Sequence, residues 1–231
     1  MDFNSVHEQY TKINTLYNRD TRGRIIIGEF SRPEFKYLYD VKWLAFEKVD
    51  GTNASIYWDG AEFTFHGKTA DANTPLFLLD KLKSLASEEK FSKVFKPTIK
   101  EDGSKAPMLV KIYGEGYGNK IGKVGNKYLL DSCGFRVFDI KINNFWLEWN
   151  NVLDICEQLG LETVIPYGEL TLKEAEEMVI RGFKSTISEN GSLNAEGLVL
   201  RPLVQLFNRK NERIMVKIKT CDYRKLGITT N

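Results

Sequence analysis

The sequence predicts a mixed α+β protein built mainly from antiparallel sheet, and three observations carry that expectation. Short runs rich in β-branched and aromatic residues recur along the chain. Three stretches with the period of an amphipathic helix interrupt them. No repeat, low-complexity tract or obvious long linker separates the two kinds of segment, and 231 residues with 42% hydrophobic content suffice to bury a sizeable core. Residues 1–231 are therefore expected to form a single domain.

Taken in order, the strand-like runs are "WLAFEKV", "ASIYW", "EFTFH", "MLVKIYG", "FRVFDIKI", "TVIPYG", "GLVLRP" and "RIMVKIK". The first helical stretch is "TPLFLLDKLKSLASEEKFSKVF", where Leu79, Leu82, Leu85, Val94 and Phe95 make the apolar stripe, Thr74 is the expected cap and Pro75 falls in the first turn. In "NNVLDICEQLG", Gly160 offers a helix stop. In "TLKEAEEMVIRGF", Thr171 and Glu174 have capping-box spacing, and the acidic run "KEAEEM" reads as a solvated face. "KPTIKEDGSKAP", polar and rich in turn formers, reads as a loop.

Composition excludes several function classes. A formal charge of +2 rules out binding to nucleic acid by bulk charge, so any such contact comes from a local patch. Cys133, Cys156 and Cys221 are odd in number and lack a Cys-x-x-Cys pair, which argues against a disulfide framework or a zinc site and for a reducing, cytoplasmic setting. That His7 and His66 are the only histidines argues against histidine-centred triads and His-rich metal sites as well. The N-terminus carries no apolar targeting core, and no run reaches the length of a membrane span.

The stretch "AFEKVDGTNASIYWDG" holds a lysine at the end of a strand-like run, followed by Asp-Gly-Thr-Asn. Asp-Gly is a strong type I′ hairpin pair, and on that reading Lys48 is a solvated side chain. By average residue usage, Lys-x-Asp-Gly occurs by chance in roughly one chain in twenty of this size. Three further segments supply context. "KIYGEGYGNK" sets Glu115 between glycines that allow close approach of a ligand, "AEGLVLR" opens a strand with Glu196, and "MVKIKT" alternates Lys217 and Lys219 on one strand face. One amine, two carboxylates and two further cations suit phosphoryl chemistry. A protonated lysine cannot attack phosphorus, so desolvation and neighbouring cations must lower its pKa. Lys217 and Lys219 supply such cations and can neutralise a triphosphate, and Glu196 is the hard oxygen ligand that Mg²⁺ prefers. Taken singly, Glu115 and Glu196 read as solvated strand-end acids and Phe138 as a core aromatic or a base platform.

In this order, "EKVDGTN", "YGEGYG", "FRVFDI", "EGLVLRP" and "VKIK" resemble the motifs of the covalent nucleotidyltransferases, the superfamily of polynucleotide ligases and RNA capping enzymes. Within it the chain most resembles the phage-type ATP-dependent RNA ligases. The lead-in "YTKINTLYNRD" is similar to their start, and Asn53 stands where capping enzymes and many DNA ligases carry arginine. The resemblance runs from about Tyr10 to Thr220. It implies an adenylation (nucleotidyltransferase) domain of the ATP-grasp-like ligase kind, with two mostly antiparallel sheets around a nucleotide cleft, flanked by helices. It implies ATP and Mg²⁺ as cofactors, with Mn²⁺ as the alternative metal, and RNA with 5′-phosphate and 3′-hydroxyl ends as partner. DNA ends are the alternative substrate. The setting implied is cytoplasmic, of viral or bacterial type, with no membrane.

Residue by residue, the resemblance makes Lys48 the nucleophile that becomes adenylated, with Asp50, Gly51 and Asn53 completing its motif. Glu47 contacts the adenine and Phe138 stacks on it; Glu115 holds the ribose, Glu196 the metal, and Lys217 and Lys219 the α-phosphate and leaving group. Where the family usually has an arginine after the following hairpin, "FHGKTADAN" offers Lys68, which carries charge but no bidentate fork. Only "CDYRKLGITTN" follows the last lysine motif, so no C-terminal OB domain is expected. A minimal ligase, a catalytic-domain piece and a partner-supplied surface all remain open on that point.

The rival readings are a DNA ligase or other polynucleotide nucleotidyltransferase, and a non-catalytic module that binds nucleic-acid ends. His66, beside Lys68, reads as a surface histidine on a hairpin rather than a phosphate contact. In "KIYGEGYGNKIGKVGNKY", Tyr113, Tyr117 and Tyr128 interleave with Lys111, Lys120, Lys123 and Lys127, as in a stacking and phosphate-binding groove. An ordinary glycine-rich loop has the same composition.

Overall fold

The structure, a computed structural model, describes residues 8–69, 74–189 and 191–228. His7 and residues 70–73 of the "FHGKTADAN" stretch lie outside the described residues. In chain order the strands are β1 (Asn14–Thr15), β2 (Tyr17–Arg19), β3 (Ile25–Phe30), β4 (Trp43–Glu47), β5 (Thr52–Trp58), β6 (Phe63–His66), β7 (Thr98–Ile99), β8 (Lys105–Ala106), β9 (Val110–Gly118), β10 (Cys133–Ile142), β11 (Phe145–Trp146), β12 (Pro166–Leu170), β13 (Gly197–Pro202) and β14 (Val216–Lys219). The helices are α1 (Pro33–Tyr37), α2 (Leu76–Leu85), α3 (Glu88–Val94), α4 (Gly125–Tyr128), α5 (Trp149–Leu159), α6 (Leu172–Arg181) and α7 (Thr220–Arg224). The mixed α+β architecture is the one the sequence predicts.

The chain divides into two compact units, one of Met1–Tyr10 with Asp50–Val164, the other of Thr11–Val49 with Ile165–Asn231. The boundary falls inside "EKVDG", after Val49. In the first unit an antiparallel sheet has the order β11-β10-β9-β5-β6. Its two faces differ because side chains alternate along each strand. Ala54, Ile56, Trp58, Val110 and Ile112 are buried on one face, where Leu78 of α2 packs against Gly116 and Phe91 of α3 meets the Trp58 ring edge-on at 5.8 Å. The opposite face is polar: Asn53 lies across from Glu115, Ser55 from Tyr113, and Tyr57 from Lys111.

In the second unit the sheet order is β1-β14-β13-β4-β12, and only the short β1–β14 pair is parallel. One face, with Trp43, Ala45, Leu198, Leu200, Val216 and Ile218, closes on Leu172, Ala175 and Val179 of α6. The capping box at Thr171 and Glu174 forms as expected, and α5 stops at Gly160, which adopts a left-handed conformation at φ 73°. Among the described residues no helix is long and apolar enough to cross a membrane.

Several expectations are corrected. The stretch at 74–95 is two helices rather than one. Ser87 caps the second with its Oγ, and Glu88 and Glu89 fall in that helix's first turn, where acids complement the helix dipole. Pro75, not Thr74, is the N-cap of α2; of the expected stripe Leu82 and Phe95 are buried, joined by Leu78 and Phe91, while Leu79, Leu85 and Val94 are half-buried. The "KPTIKEDGSKAP" loop contains the β7–β8 hairpin. Asp50-Gly51 does not close a hairpin, because β4 and β5 join different sheets. Finally, "KEAEEM" is not wholly solvated: Glu176 is buried and accepts hydrogen bonds from Tyr17 (2.8 Å), Tyr39 (2.9 Å) and Tyr223 (3.0 Å). Positions 172, 175, 176 and 179 share one helical face, so the register puts Glu176 inside and three hydroxyls satisfy it.

Candidate active site

In the second unit, Lys48 extends β4 by one rung, its backbone N–H donating to Gly197 O at 2.9 Å. Its Nζ donates to Glu196 Oε2 at 2.6 Å, while Lys219 Nζ lies 2.8 Å from Oε1 of the same carboxylate. One carboxylate therefore bridges two lysines 171 residues apart in sequence, at side-chain exposures of 17–26%. The residue after Glu196 has to be glycine. Gly197 sits at φ +153°, and an added Cβ would come within 2.0 Å of Ile218 O. That close approach of β13 to β14 is what brings Glu196 beside Lys219.

Lys217, two residues back on the same strand face, is half-buried and pushed down to about 8. Burial is the main cause, followed by the charges of Lys219, Lys48 and Lys12; Glu196 opposes them. Burial also lowers Lys219, but its hydrogen bond and charge interaction with Glu196 prevail and hold it above the usual lysine range. Two of these three lysines are thus paired with one acid, and the third feels that acid only as the weakest of the influences on it.

Glu47 ends β4 with its side chain turned away from Lys48 and only 2% exposed. Its Oε2 accepts from Thr186 N (2.8 Å) and Thr186 Oγ1 (2.7 Å). Its Oε1 is buried with no partner among the described residues. A buried carboxylate oxygen without a donor is costly. Thr186 is a residue that sequence reasoning missed, since nothing local marks a residue 139 positions from Glu47 as its partner.

The first unit holds the remaining candidates. Asp50 donates its backbone N–H to Tyr128 Oη at 3.0 Å. Gly51 passes so close to β9 that a Cβ would come within 2.1 Å of Gly116 O, so the glycine of the lysine motif is required by backbone approach and not by a turn. Asn53 and Glu115 are direct cross-strand partners, both half-buried. Phe138 is the extra residue of a β-bulge between Val137 and Asp139, the kind of irregularity that re-aims a side chain. Its ring meets Tyr10 edge-on at 4.8 Å, and Tyr10 Oη donates to the neighbouring, fully buried Asp139 at 2.6 Å. Lys68 is exposed two residues past β6. Antiparallel register carries it to the level of Asn53, because Ser55 pairs with His66.

The interleaved tyrosines and lysines do not make a stacking groove. Tyr113, Tyr117 and Tyr128 are 1%, 3% and 1% exposed, and Lys111 is buried against Glu8 at 2.7 Å. Lys120, Lys123 and Lys127 remain on the surface. The tyrosine rings are buried because they pack against neighbouring rings and side chains, as in the Tyr117–Tyr128 pair at 5.7 Å.

Solved RNA ligase structures share this fold. One of Naegleria gruberi RNA ligase, a mutant with ATP and Mn, superposes with a TM-score of 0.62 at 16% identity, covering 95% of this chain and 63% of that one. Another, with PPi, gives 0.61 at 17% identity over 96% of this chain and 65% of that one. A further mutant, with AMP and Mn, gives 0.61 at 16% identity over 93% and 63%. The chain therefore spans a little under two thirds of the length of these structures. No curated protein sequence matches it significantly. The family model described as RNA ligase matches residues 41–219, and the chain belongs to that family.

Proposed function

We propose that residues 1–231 act as the adenylation domain of an ATP-dependent RNA ligase, sealing 5′-phosphate to 3′-hydroxyl ends. The observation that carries this reading is the Lys48–Glu196–Lys219 bridge beside Lys217, three lysines around one carboxylate. A cluster with surplus positive charge around an amine suits attack on a triphosphate. Lys48 Nζ bonds to the α-phosphorus of ATP, the bond to the pyrophosphate oxygen breaks, and the amine's proton is lost, leaving AMP on Lys48 as a phosphoramidate. The AMP then passes to the RNA 5′-phosphate, and the 3′-hydroxyl displaces it to form the phosphodiester.

Lys217 and Lys219 meet the α-phosphate and the departing pyrophosphate, and Glu115 accepts from ribose hydroxyls. Phe138, re-aimed by its bulge, stacks on the base. The unpartnered Oε1 of Glu47 suits the 6-amino group of adenine, a donor that would remove its desolvation cost. Asp50 and Asn53 hold the lysine motif in shape, and Lys68 reaches the phosphate end of the nucleotide.

Among the described residues no group of three His, Cys, Asp or Glu side chains could hold a metal by itself. Glu196, whose two oxygens are the hard donors Mg²⁺ or Mn²⁺ takes, fits a metal held by one carboxylate together with substrate phosphates. When bound, such a metal neutralises phosphate charge. Three free cysteines support a reducing, cytoplasmic setting.

The test is intact mass after incubation with ATP and Mg²⁺, followed by sealing assays on RNA and DNA ends. Gain of one AMP, acid-labile and base-stable, together with sealing of RNA supports the reading. A chain that stays unlabelled and seals no end overturns it.

A further inference from the structure

At the β1 edge of the second unit's sheet lies a cavity of about 420 Å³, within the range of small-ligand sites. Lys12, Arg32 and Arg213 line it against one acid, Glu212, so its wall carries two net positive charges. Glu212 is already engaged by Arg32 (2.8 Å) and by Asn208 Nδ2 (2.7 Å). Arg32 also lies 3.7 Å from Glu34. Lys12 is exposed and makes no ion pair among the described residues.

Two features tie the cavity to the lysine cluster. Met215, which lines it, continues the row of same-face positions Lys217 and Lys219 along β14. Lys12, on the segment leading into β1, is one of the cations whose charge depresses Lys217. A polyanion contacting Lys219 and Lys217 would meet this cavity next along the strand. None of the lining residues is aromatic, so the wall offers no platform on which a base can stack. It does offer the Thr11 hydroxyl and the Asn14 amide beside the cations. Those are groups for a ribose hydroxyl and a phosphate.

We propose that this cavity holds one sugar–phosphate unit of the RNA substrate, with Lys12 and Arg32 on the phosphate and Asn14 on the ribose 2′-hydroxyl. The inference rests on the ligase reading and adds a subsite to it. An oligonucleotide with 2′-hydroxyls would be held better there than its deoxy counterpart, which lacks the group that Asn14 meets.

The experiment uses the full chain and a 5′-phosphorylated single-stranded RNA 12-mer, with its DNA counterpart, in fluorescence anisotropy across a salt series. The Lys12→Ala/Arg32→Ala double variant is expected to bind RNA about tenfold more weakly at low salt, with the salt slope reduced by about 1.4, roughly 0.7 per lost cation on a single strand. Asn14→Ala should narrow the gap between RNA and DNA. Because a variant can fail to fold, hydrogen exchange on the wild type is the second measurement: RNA should protect the amides of residues 11–15 and 31–32. Wild type that forms the AMP adduct and binds RNA without protecting these amides, or a folded double variant with unchanged affinity and slope, overturns the subsite and leaves the ligase reading standing. Wild type that forms no adduct and binds no RNA overturns both.

Discussion

Two carboxylates in this molecule each bridge a pair of lysines, and the pairs have opposite characters. In the first unit Glu8 lies 2.7 Å from Lys111 and 2.6 Å from Lys141, which face each other across β9 and β10. In the second unit Glu196 lies 2.6 Å from Lys48 and 2.8 Å from Lys219. The first group is closed: its lysines are 8% and 12% exposed, with aromatic rings beside them, Tyr57 4.9 Å from Lys111 and Trp146 5.3 Å from Lys141. The second is more open, at 22% and 26%, and borders a third lysine, Lys217. The same ion-pair geometry thus serves packing in one place and, on the proposed reading, reactivity in the other, and the difference lies in exposure and in the lysine that borders the second. Each bridge sets two lysines on one acid, but the buried one is closed to a further anion, whereas the more open one, with Lys217 beside it, gains on binding one.

The largest expected effect separates them outright. Lys48→Ala should abolish the AMP adduct seen by intact mass, while Lys111→Met leaves the protein able to form it; labelling of Lys48→Ala at the wild-type level would remove Lys48 as nucleophile. Next, Glu196→Ala should slow adenylation on the order of a hundredfold, the worth of a single preorganised electrostatic group, with little change in melting temperature. Near-normal adenylation by the folded variant would show Glu196 to be as structural as Glu8.

Glu8→Gln should do the reverse, lowering stability by about 2 kcal/mol because two poorly exposed lysines lose their counter-charge, with thermal denaturation as the readout. Burial pushes the Glu8 carboxyl up, but Lys111 and Lys141 prevail and hold it below the usual glutamate range. Its folded pKa lies below its unfolded one, so this stability is complete above about 4.5 and fades as pH falls through the lower folded value. A melting temperature of Glu8→Gln equal to wild type at pH 7 would show the bridge contributes nothing.

The smallest effect is a pH dependence. With Lys217 at about 8, its charge is lost as pH rises through that region, so ATP binding should weaken several-fold between pH 7 and 9. Lys217→Arg, which keeps its charge, should flatten that profile in isothermal titration. For folding the sign is opposite: between about 8 and 10.5 the unfolded chain binds more protons at this site, so stability rises with pH. A wild-type affinity flat across that range would leave Lys217 without a part in holding phosphate.

Local chemistry made much of this legible before any coordinates. The Lys217/Lys219 alternation, the Thr171–Glu174 box and the Gly160 stop each depend on residues within a few positions of one another, and all three formed. Glu176 was readable too, because its spacing from Leu172 and Val179 puts it on the apolar face, but an acidic run reads first as solvated. The tyrosines of "KIYGEGYGNKIGKVGNKY" were misleading for a different reason. A ring that packs in a core and a ring that stacks on a base have the same composition, and only burial tells them apart.

By itself the sequence determined the longer strands β4, β5, β6, β9, β10, β12, β13 and β14, the helices α5 and α6 and the order of the motifs, since these follow from periodicity, capping and residue type over short spans, while short elements such as β1–β3, β7, β8, β11, α1, α4 and α7 carry too few residues for a period to show. Only the tertiary structure decided which sheet each strand joined, that Gly51 is a backbone-approach glycine rather than a hairpin turn, and that Glu196 bridges Lys48 and Lys219 while Glu47 is bound by Thr186. Those outcomes hang on pairings across as many as 171 residues, such as that of Lys48 with Lys219 through Glu196. Their energy comes from long-range strand registry and burial, which no local window of the chain contains.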